Sequence, residues 1–192
     1  IMMRELDHRV KNNIASVMSL VELSKQGATS VQEYAKTLDG RLHALAVAHS
    51  TLAKSQWSGA WLRDILQLTL QPYMVGPRSQ IQFKGPDVEL FGVLARPMCM
   101  VIHELATNAM KHGALKIDAG NVLVSTKILP DNQVQLSWIE TDGPPVPNER
   151  ITSTGTSLLE GLVGHEMNGK IILDFNKNGL HCVIEVPLNE LQ

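Results

Sequence analysis

The sequence predicts an α+β protein in two parts: a helical hairpin over residues 1–56, and over residues 57–192 a sandwich with helices on one face of a mixed, mostly antiparallel sheet. Three observations carry this. Apolar residues recur at helical spacing from Leu6 to Leu52, with a break at Gly27. After a join at Ser55 to Ala60 the pattern resets, and β-rich runs begin, separated by turn dipeptides such as Gly85-Pro86 and Asn178-Gly179. Between those runs lies Val101 to Leu115, VIHELATNAMKHGAL, whose apolar set Val101, Ile102, Leu105, Ala109 and Met110 has a helical period. At 192 residues, 44% of them hydrophobic and 19% charged, the chain has material for a real core in one large or two small domains.

Each element has its own signal. Arg4 to Leu23 carries Leu6, Val10, Ile14, Val17, Leu20 and Val21 on one helical stripe, and Gly27 breaks it. Ser30 and Glu33 form the S-x-x-E signature of a capped helix start, followed by Leu38, Leu42, Leu45, His49 and Leu52 at alternating four and three. Two such helices bury little as an isolated pair, so the hairpin packs either on a second copy as a four-helix bundle or on its own C-terminal domain. Trp61 to Tyr73 reads as an amphipathic helix that Pro72 and then Gly76-Pro77 terminate. Gln80 to Lys84 and Val88 to Phe91 read as short strands. The long helix follows, with Pro97 suited to its first position and Gly113 to its stop. Asn121 to Leu129 and Val134 to Glu140 form a hairpin through Pro130-Asp131-Asn132. Ser157 to Met167 is helical, and Lys170 to Phe175 pairs with Leu180 to Val186 through Asn178-Gly179.

Composition excludes several classes. A formal net charge of −2 with no basic run gives no attraction for nucleic acid or an anionic membrane. No apolar run approaches a membrane span, and the first residues lack the form of a signal peptide. Cys99 and Cys182 fall in apolar stretches and form no C-x-x-C, which implies buried reduced thiols and a cytoplasmic setting. The chain begins at Ile1, which implies a longer protein with an input domain upstream.

The chemistry concentrates on the long helix. Glu104, Asn108, Lys111 and His112 lie four, three and one residues apart, so a carboxylate, an amide, an ammonium and an imidazole share the face opposite the apolar stripe. An amide oxygen is a hard ligand suited to Mg²⁺, and a lysine supplies point charge to phosphates, so the face has the chemistry of a magnesium triphosphate site. The plain alternative is a solvated helix face. On the first helix, within ELDHRVKNNI, a neutral His8 is a competent nucleophile toward a phosphoryl group. Arg9 and Lys11 lie nearby, and Asn12 one turn on can orient a water or phosphoryl oxygens. The alternative for His8 is an exposed surface histidine. Glu140 ends a strand and Thr141-Asp142-Gly143-Pro144 follows, so a carboxylate able to accept from an adenine amino group stands at a turn; an ordinary Asp-Gly turn has the same form.

HELATNAMKHGAL resembles the asparagine box of the HWE subfamily of sensor histidine kinases, close to HELATNAxKYGAL, with His112 in place of the usual tyrosine. The histidine, tryptophan and glutamate that name the subfamily are matched by His103, Trp138 and Glu140. The His8 segment resembles the H-R-V-K-N phosphoacceptor box of the same kinases, and Arg41, His43, Ala44, Ala46 and His49 match their R-x-H-A-x-A-x-x-H run, in which His43 and His49 read as packing or interhelical contacts. The resemblance implies the ATP-binding fold shared by histidine kinases, Hsp90 chaperones, type II topoisomerases and MutL.

It also implies ATP with Mg²⁺, Asn108 as the metal ligand, Lys111 and His112 on phosphates, and Glu104 as base or water-orienting group. His8 would then receive the γ-phosphoryl group and pass it to a receiver-domain aspartate of a response regulator. Two boxes depart from the family pattern. WIETDGP carries Asp142 where W-x-E-x-G-G-P has its first glycine, so either Glu140 or Asp142, with Gly143, holds adenine. Ser153-Thr154-Gly155-Thr156-Ser157 stands where G-F-G-S-x-L-I is usual, which leaves one glycine and a less complete lid; backbone N–H groups of Gly155, Thr156 and Ser157 remain suited to phosphate oxygens. Two other classes compete: a histidine phosphotransferase that does not use ATP, and an ATP-driven chaperone-type module or serine kinase.

Overall fold

The helices owe their ends to capping groups drawn from both nearby and distant sequence. In a computed structural model of the chain, residues 2–26, 28–54, 58–74, 80–145 and 154–188 are described, the side chains of residues 2–10, 12, 13, 54 and 154 excepted. The chain divides into two compact units, Ile1–His43 and Ala44–Gln192, so the division falls inside the second helix, upstream of the expected join at Ser55 to Ala60.

In the first unit, α1 (Met2–Lys25) runs past the expected Arg4 to Leu23 at both ends. The expected breaker, Gly27, lies outside the described residues. α2 (Val31–Lys54) begins at a cap of the anticipated kind: Ser30 Oγ accepts from the Glu33 N–H at 3.1 Å. The reciprocal half differs, because the Glu33 carboxylate reaches one residue further back and accepts from both the N–H and the hydroxyl of Thr29, at 3.0 and 2.7 Å. Arg41 is buried and donates to Ser24 Oγ at 3.0 Å, while Ser24 donates to the Leu20 carbonyl at 2.6 Å, so a guanidinium links the two helices within this unit.

The second unit opens with β1 (Gly59–Trp61) and α3 (Leu62–Leu70), closed by a 3-10 turn at Gln71–Tyr73. Trp61 therefore belongs to a strand and not to the expected helix. The reason is its pairing with β3 (Glu89–Phe91), Trp61 opposite Glu89 and Gly59 opposite Phe91, in a two-stranded antiparallel sheet apart from the main one. The same segment caps α3. Leu62 N–H donates to the Val88 carbonyl and Arg63 N–H to Asp87 Oδ1, which satisfies two of the helix's orphan donors from a distant part of the chain. Of the expected helix terminators, Pro72 lies within the 3-10 turn and Gly76-Pro77 lie outside the described residues.

The main sheet has five strands. β2 (Ile81–Lys84) lies parallel to β4 (Asn121–Leu129); β4, β5 (Gln133–Thr141), β7 (Gly179–Pro187) and β6 (Lys170–Asn176) follow in antiparallel order. The sheet is thus mixed and mostly antiparallel, as expected. One turn is shifted: Asn176 pairs with Gly179, so the β6–β7 loop is Lys177-Asn178, with Asn178 N–H donating to Asn176 Oδ1. Gly179, at φ +137°, opens the next strand in a conformation that favours glycine.

Strand alternation puts Val122 and Val124 of β4, Val134, Leu136 and Trp138 of β5, and Leu180, Cys182, Ile184 and Val186 of β7 in the core. Helices cover that face. α4 (Gly92–Lys111) buries Leu94, Met98, Val101, Ile102, Leu105 and Ala109; it starts a turn earlier than expected, with Pro97 inside it, because Leu94 and Ala95 are themselves core residues that fix the preceding turn. α5 (Thr154–Gly161) continues into a π turn at Leu162–Glu166, a wider ending than the regular helix expected to Met167. Both cysteines are free and buried, and burial pushes each thiol up to about 12, as suits inert core residues.

Leu136 is 1% exposed and Ile128 59% exposed in the same hairpin. Leu136→Ala is expected to lower the unfolding free energy by about 2–5 kcal/mol and Ile128→Ala by under about 0.5 kcal/mol in urea titrations. Equal costs would remove β5 from the core.

Candidate functional site

α4 holds most of the candidate residues, and its sequence explains why they share a face: the apolar stripe is claimed by the core, so the remaining rows carry polar groups. Two clusters result, one midway along the helix and one at its C-terminal end.

Midway, Glu104 and Asn108 face the start of α5. A Cβ built on Gly155 would stand 3.4 Å from Asn108 Nδ2, 3.5 Å from Glu104 Oε2 and 3.6 Å from Asn108 Oδ1. The one glycine left in that box thus sits where a carboxylate and an amide converge, and it belongs to the first turn of α5, whose backbone N–H groups have no partner within the helix. Glu104 is buried, Asn108 partly so. Lys111 and His112 are exposed on the last turn, where mobile cationic or neutral donors can reach a ligand on that face.

At the C-terminal end, the Asn108 carbonyl accepts from the N–H groups of His112 and Gly113 at 2.8 and 3.2 Å, which closes the helix where the glycine stop was expected. Immediately after it, Glu140 of β5 reaches across. Its Oε2 accepts from the Ala114 N–H at 2.8 Å and its Oε1 from the Trp138 indole N–H at 3.0 Å. The carboxylate is 4% exposed, and burial raises its pKa above the ordinary 4.5 against the opposing pull of those two donors. Backbone crowds it: a Cβ on Gly113 would overlap Glu140 Oε2, and one on Gly143 would stand 2.8 Å from the Ala114 Cα. Asp142 lies at the exposed rim at φ +57°, its Oδ2 3.4 Å from Asn121 Nδ2. Of the two carboxylates considered for one role, Glu140 is enclosed and doubly bonded, and Asp142 faces solvent.

His103 lies on the neighbouring row of α4, with Tyr73 Oη 3.0 Å from its Nδ1 and 3.0 Å from Thr107 Oγ1. Nothing in the sequence pointed to Tyr73 or Thr107, and Gly113 was read only as a stop signal; the contacts that matter cross from the 3-10 turn and from β5. The backbone of His8 and Asn12 belongs to α1, and their side chains lie outside the described residues. His43 is exposed and His49 partly buried on α2.

The structure superposes on the solved chain of the blue-light activated histidine kinase EL346 of Erythrobacter litoralis with a TM-score of 0.71, covering 97% of this chain and 59% of that one at 21% identity, so the two share a fold. In sequence, residues 5–87 match the family model described as HWE histidine kinase. The chain is 31% identical over 187 residues to a blue-light-activated histidine kinase of Rhizobium johnstonii, covering 97% of this chain and 53% of the relative. It is 32% identical over 191 residues to blue-light-activated histidine kinase 1 of Erythrobacter litoralis, covering 97% and 52%. The chain is thus similar to the HWE histidine kinases over nearly its whole length. It spans about half the length of the curated relatives it matches. Among the described residues no helix is long and apolar enough to cross a membrane.

The Glu140 carboxylate titrates in an observable way. Its folded-state pKa is raised, so the native state takes up a proton more readily than the unfolded chain. Its contribution is therefore most favourable below the ordinary 4.5 and declines as pH rises through the raised value. The stability of wild type relative to Glu140→Gln is expected to fall between pH 4 and pH 7 in parallel urea titrations. A difference that is flat or rises with pH would contradict the buried-carboxylate description.

Proposed function

We propose that this chain is an ATP-dependent protein histidine kinase module that phosphorylates itself on His8 and passes the phosphoryl group to a response-regulator aspartate. The observation that carries the reading is the convergence of Glu104 and Asn108 on Gly155 at the start of α5. A phosphate group suits such a place: a helix start lies beside it, an amide oxygen stands ready for a hard cation, and Lys111 lies one turn from Asn108 along α4 with a positive charge. Among the described residues no three His, Cys, Asp or Glu side chains are grouped for a metal, so a divalent cation here would be held by Asn108 together with substrate oxygens, the arrangement that suits Mg²⁺. When bound, Mg²⁺ neutralises charge on the phosphate oxygens.

The roles follow from position. Phosphoryl transfer needs alignment and charge neutralisation more than covalent help, and the rigid α4 supplies alignment. Asn108 orients the cation, Lys111 and His112 hold phosphate oxygens, and Gly155, Thr156 and Ser157 donate backbone N–H groups to them. Glu104 orients the attacking group or takes its proton. Adenine lies by the C-terminal end of β5, where Glu140, Asp142 and Gly143 stand near the residues that follow α4. His8 acts as nucleophile through a neutral ring nitrogen, with Asn12 one turn on to orient oxygens. In this reading residues 1–56 form the phosphoacceptor hairpin and residues 57–192 the ATP-binding domain; the protein works in the cytoplasm, takes its signal from an upstream sensor domain and pairs through the hairpin as a homodimer. Relatives named as blue-light-activated histidine kinases support a sensory input of that general kind.

The test is incubation of the chain with γ-labelled ATP and Mg²⁺, followed by acid treatment. Label that is acid-labile and lost in both His8→Ala and Asn108→Ala is expected, because a phosphorylated imidazole hydrolyses in acid whereas a serine ester survives. No label together with no ATP binding would overturn the reading and favour a phosphotransfer protein that does not use ATP.

A further inference from the structure

His103 gives the subfamily the first letter of its name, yet the phosphoryl-transfer roles above leave it without a task. Its surroundings supply one. His103 and Thr107 are one turn apart on α4, on the row beside Glu104 and Asn108. Tyr73 approaches from the 3-10 turn after α3 and sets its hydroxyl 3.0 Å from both His103 Nδ1 and Thr107 Oγ1, with the two rings 6.2 Å apart and inclined at 57°. All three side chains are partly buried.

A phenol has one proton for these two neighbours. The imidazole nitrogen is the more basic acceptor and the phenol the stronger donor of the two hydroxyls, so Tyr73 donates to Nδ1 and Thr107 donates to Tyr73. Burial holds the phenol above its ordinary pKa, against the pull of the Thr107 hydrogen bond and with a smaller addition from the nearby Glu104 charge, so Tyr73 keeps its proton. With Nδ1 accepting, the ring proton resides on Nε2.

We propose that Tyr73 is a positioning residue of the nucleotide site: by bridging His103 Nδ1 and Thr107 Oγ1, its hydroxyl fixes the signature imidazole as the Nε2–H tautomer on the row beside Glu104 and Asn108. In that tautomer Nε2 carries a donor, the polarity suited to the phosphates that the adjacent row of α4 is proposed to face. This deepens the histidine kinase reading and rests on it for the phosphates, although the tautomer itself does not.

The experiment is ¹⁵N NMR of the imidazole nitrogens of the whole chain, wild type beside Tyr73→Phe, with the His103 signals assigned through His103→Asn. Calorimetric ATP affinity and the rate of labelling by γ-labelled ATP are measured on the same samples. The expected result is an Nε2–H ring in wild type and a tautomer mixture in Tyr73→Phe. Labelling should slow roughly five- to tenfold, the rate equivalent of one neutral hydrogen bond, while ATP affinity changes little. The double variant Tyr73→Phe/His103→Asn should label no more slowly than His103→Asn alone, since the two residues act as one unit.

An Nδ1–H ring in wild type, a ring unaffected by Tyr73→Phe, or losses that multiply in the double variant would overturn the proposal. If Tyr73→Phe does not fold, Thr107→Val decides from the other side: Tyr73 then has only Nδ1 to serve, and a ring that stays Nε2–H supports the bridge while an Nδ1–H ring overturns it. Wild type that binds ATP without becoming labelled would sink the kinase reading, and the ring spectra would still decide on the bridge.

Discussion

A single buried carboxylate ties the functional helix to the sheet. Glu140 stands on β5 and bonds the Ala114 N–H just past the end of α4, while Trp138, two residues back on the same face of the strand, donates to its other oxygen. An isolated buried charge would be too costly to keep, and these two donors offset much of that cost; the remaining desolvation shows as the raised pKa. The geometry admits little substitution, because Gly113 leaves no room for a Cβ beside Oε2 and Gly179 none beside the Glu140 carbonyl. The position of the last turn of α4, with Asn108, Lys111 and His112 on it, therefore depends on one strand residue and the bare backbone around it.

The opposite flank of α4 is held by a different kind of contact. Arg96 pairs with Glu166 at 3.1 Å at the start of the helix, but both side chains are partly exposed and the pair adds little. The apolar stripe from Leu94 to Ala109 does more. Packed to near-complete burial, it fixes the rotation of the helix about its own axis, and that rotation sends Glu104 and Asn108 toward Gly155 and His103 and Thr107 toward Tyr73. Core packing thus sets the direction of each polar row, and the carboxylate pin sets where the helix ends.

Local patterns and distant partners were unequally legible in the sequence. β-rich composition and the intervening Pro130-Asp131-Asn132 turn located β4 and β5 to within a residue, and the E-x-x-x-N spacing put Glu104 and Asn108 on one face, because both signals are local. What could not be read was every feature whose partner comes from elsewhere in the chain. α3 has no capping side chain of its own, since Asp87 and Val88 cap it from the loop before β3, and the strand that claims Trp61 exists only because β3 lies opposite. Pro97 looked like a helix start because local propensity favours proline there; burial of Leu94 and Ala95 won over that preference.

The same distinction bears on the altered glycine boxes. A glycine matters where a side chain would collide, and the structure separates the positions by that criterion. A Cβ at Gly113 would collide with the Glu140 carboxylate and one at Gly143 with the Ala114 backbone, whereas one at Gly155 would make ordinary contact with Asn108 and Glu104. Asp142 occupies a usual glycine position at φ +57°, a left-handed conformation that aspartate tolerates better than most residues, on an exposed rim with space around its side chain. The substitution there costs some backbone strain without filling the site. The box at the start of α5 keeps its glycine where an added Cβ would stand 3.4 Å from Asn108 Nδ2 and 3.5 Å from Glu104 Oε2, so at this position the approach to those two groups stays open.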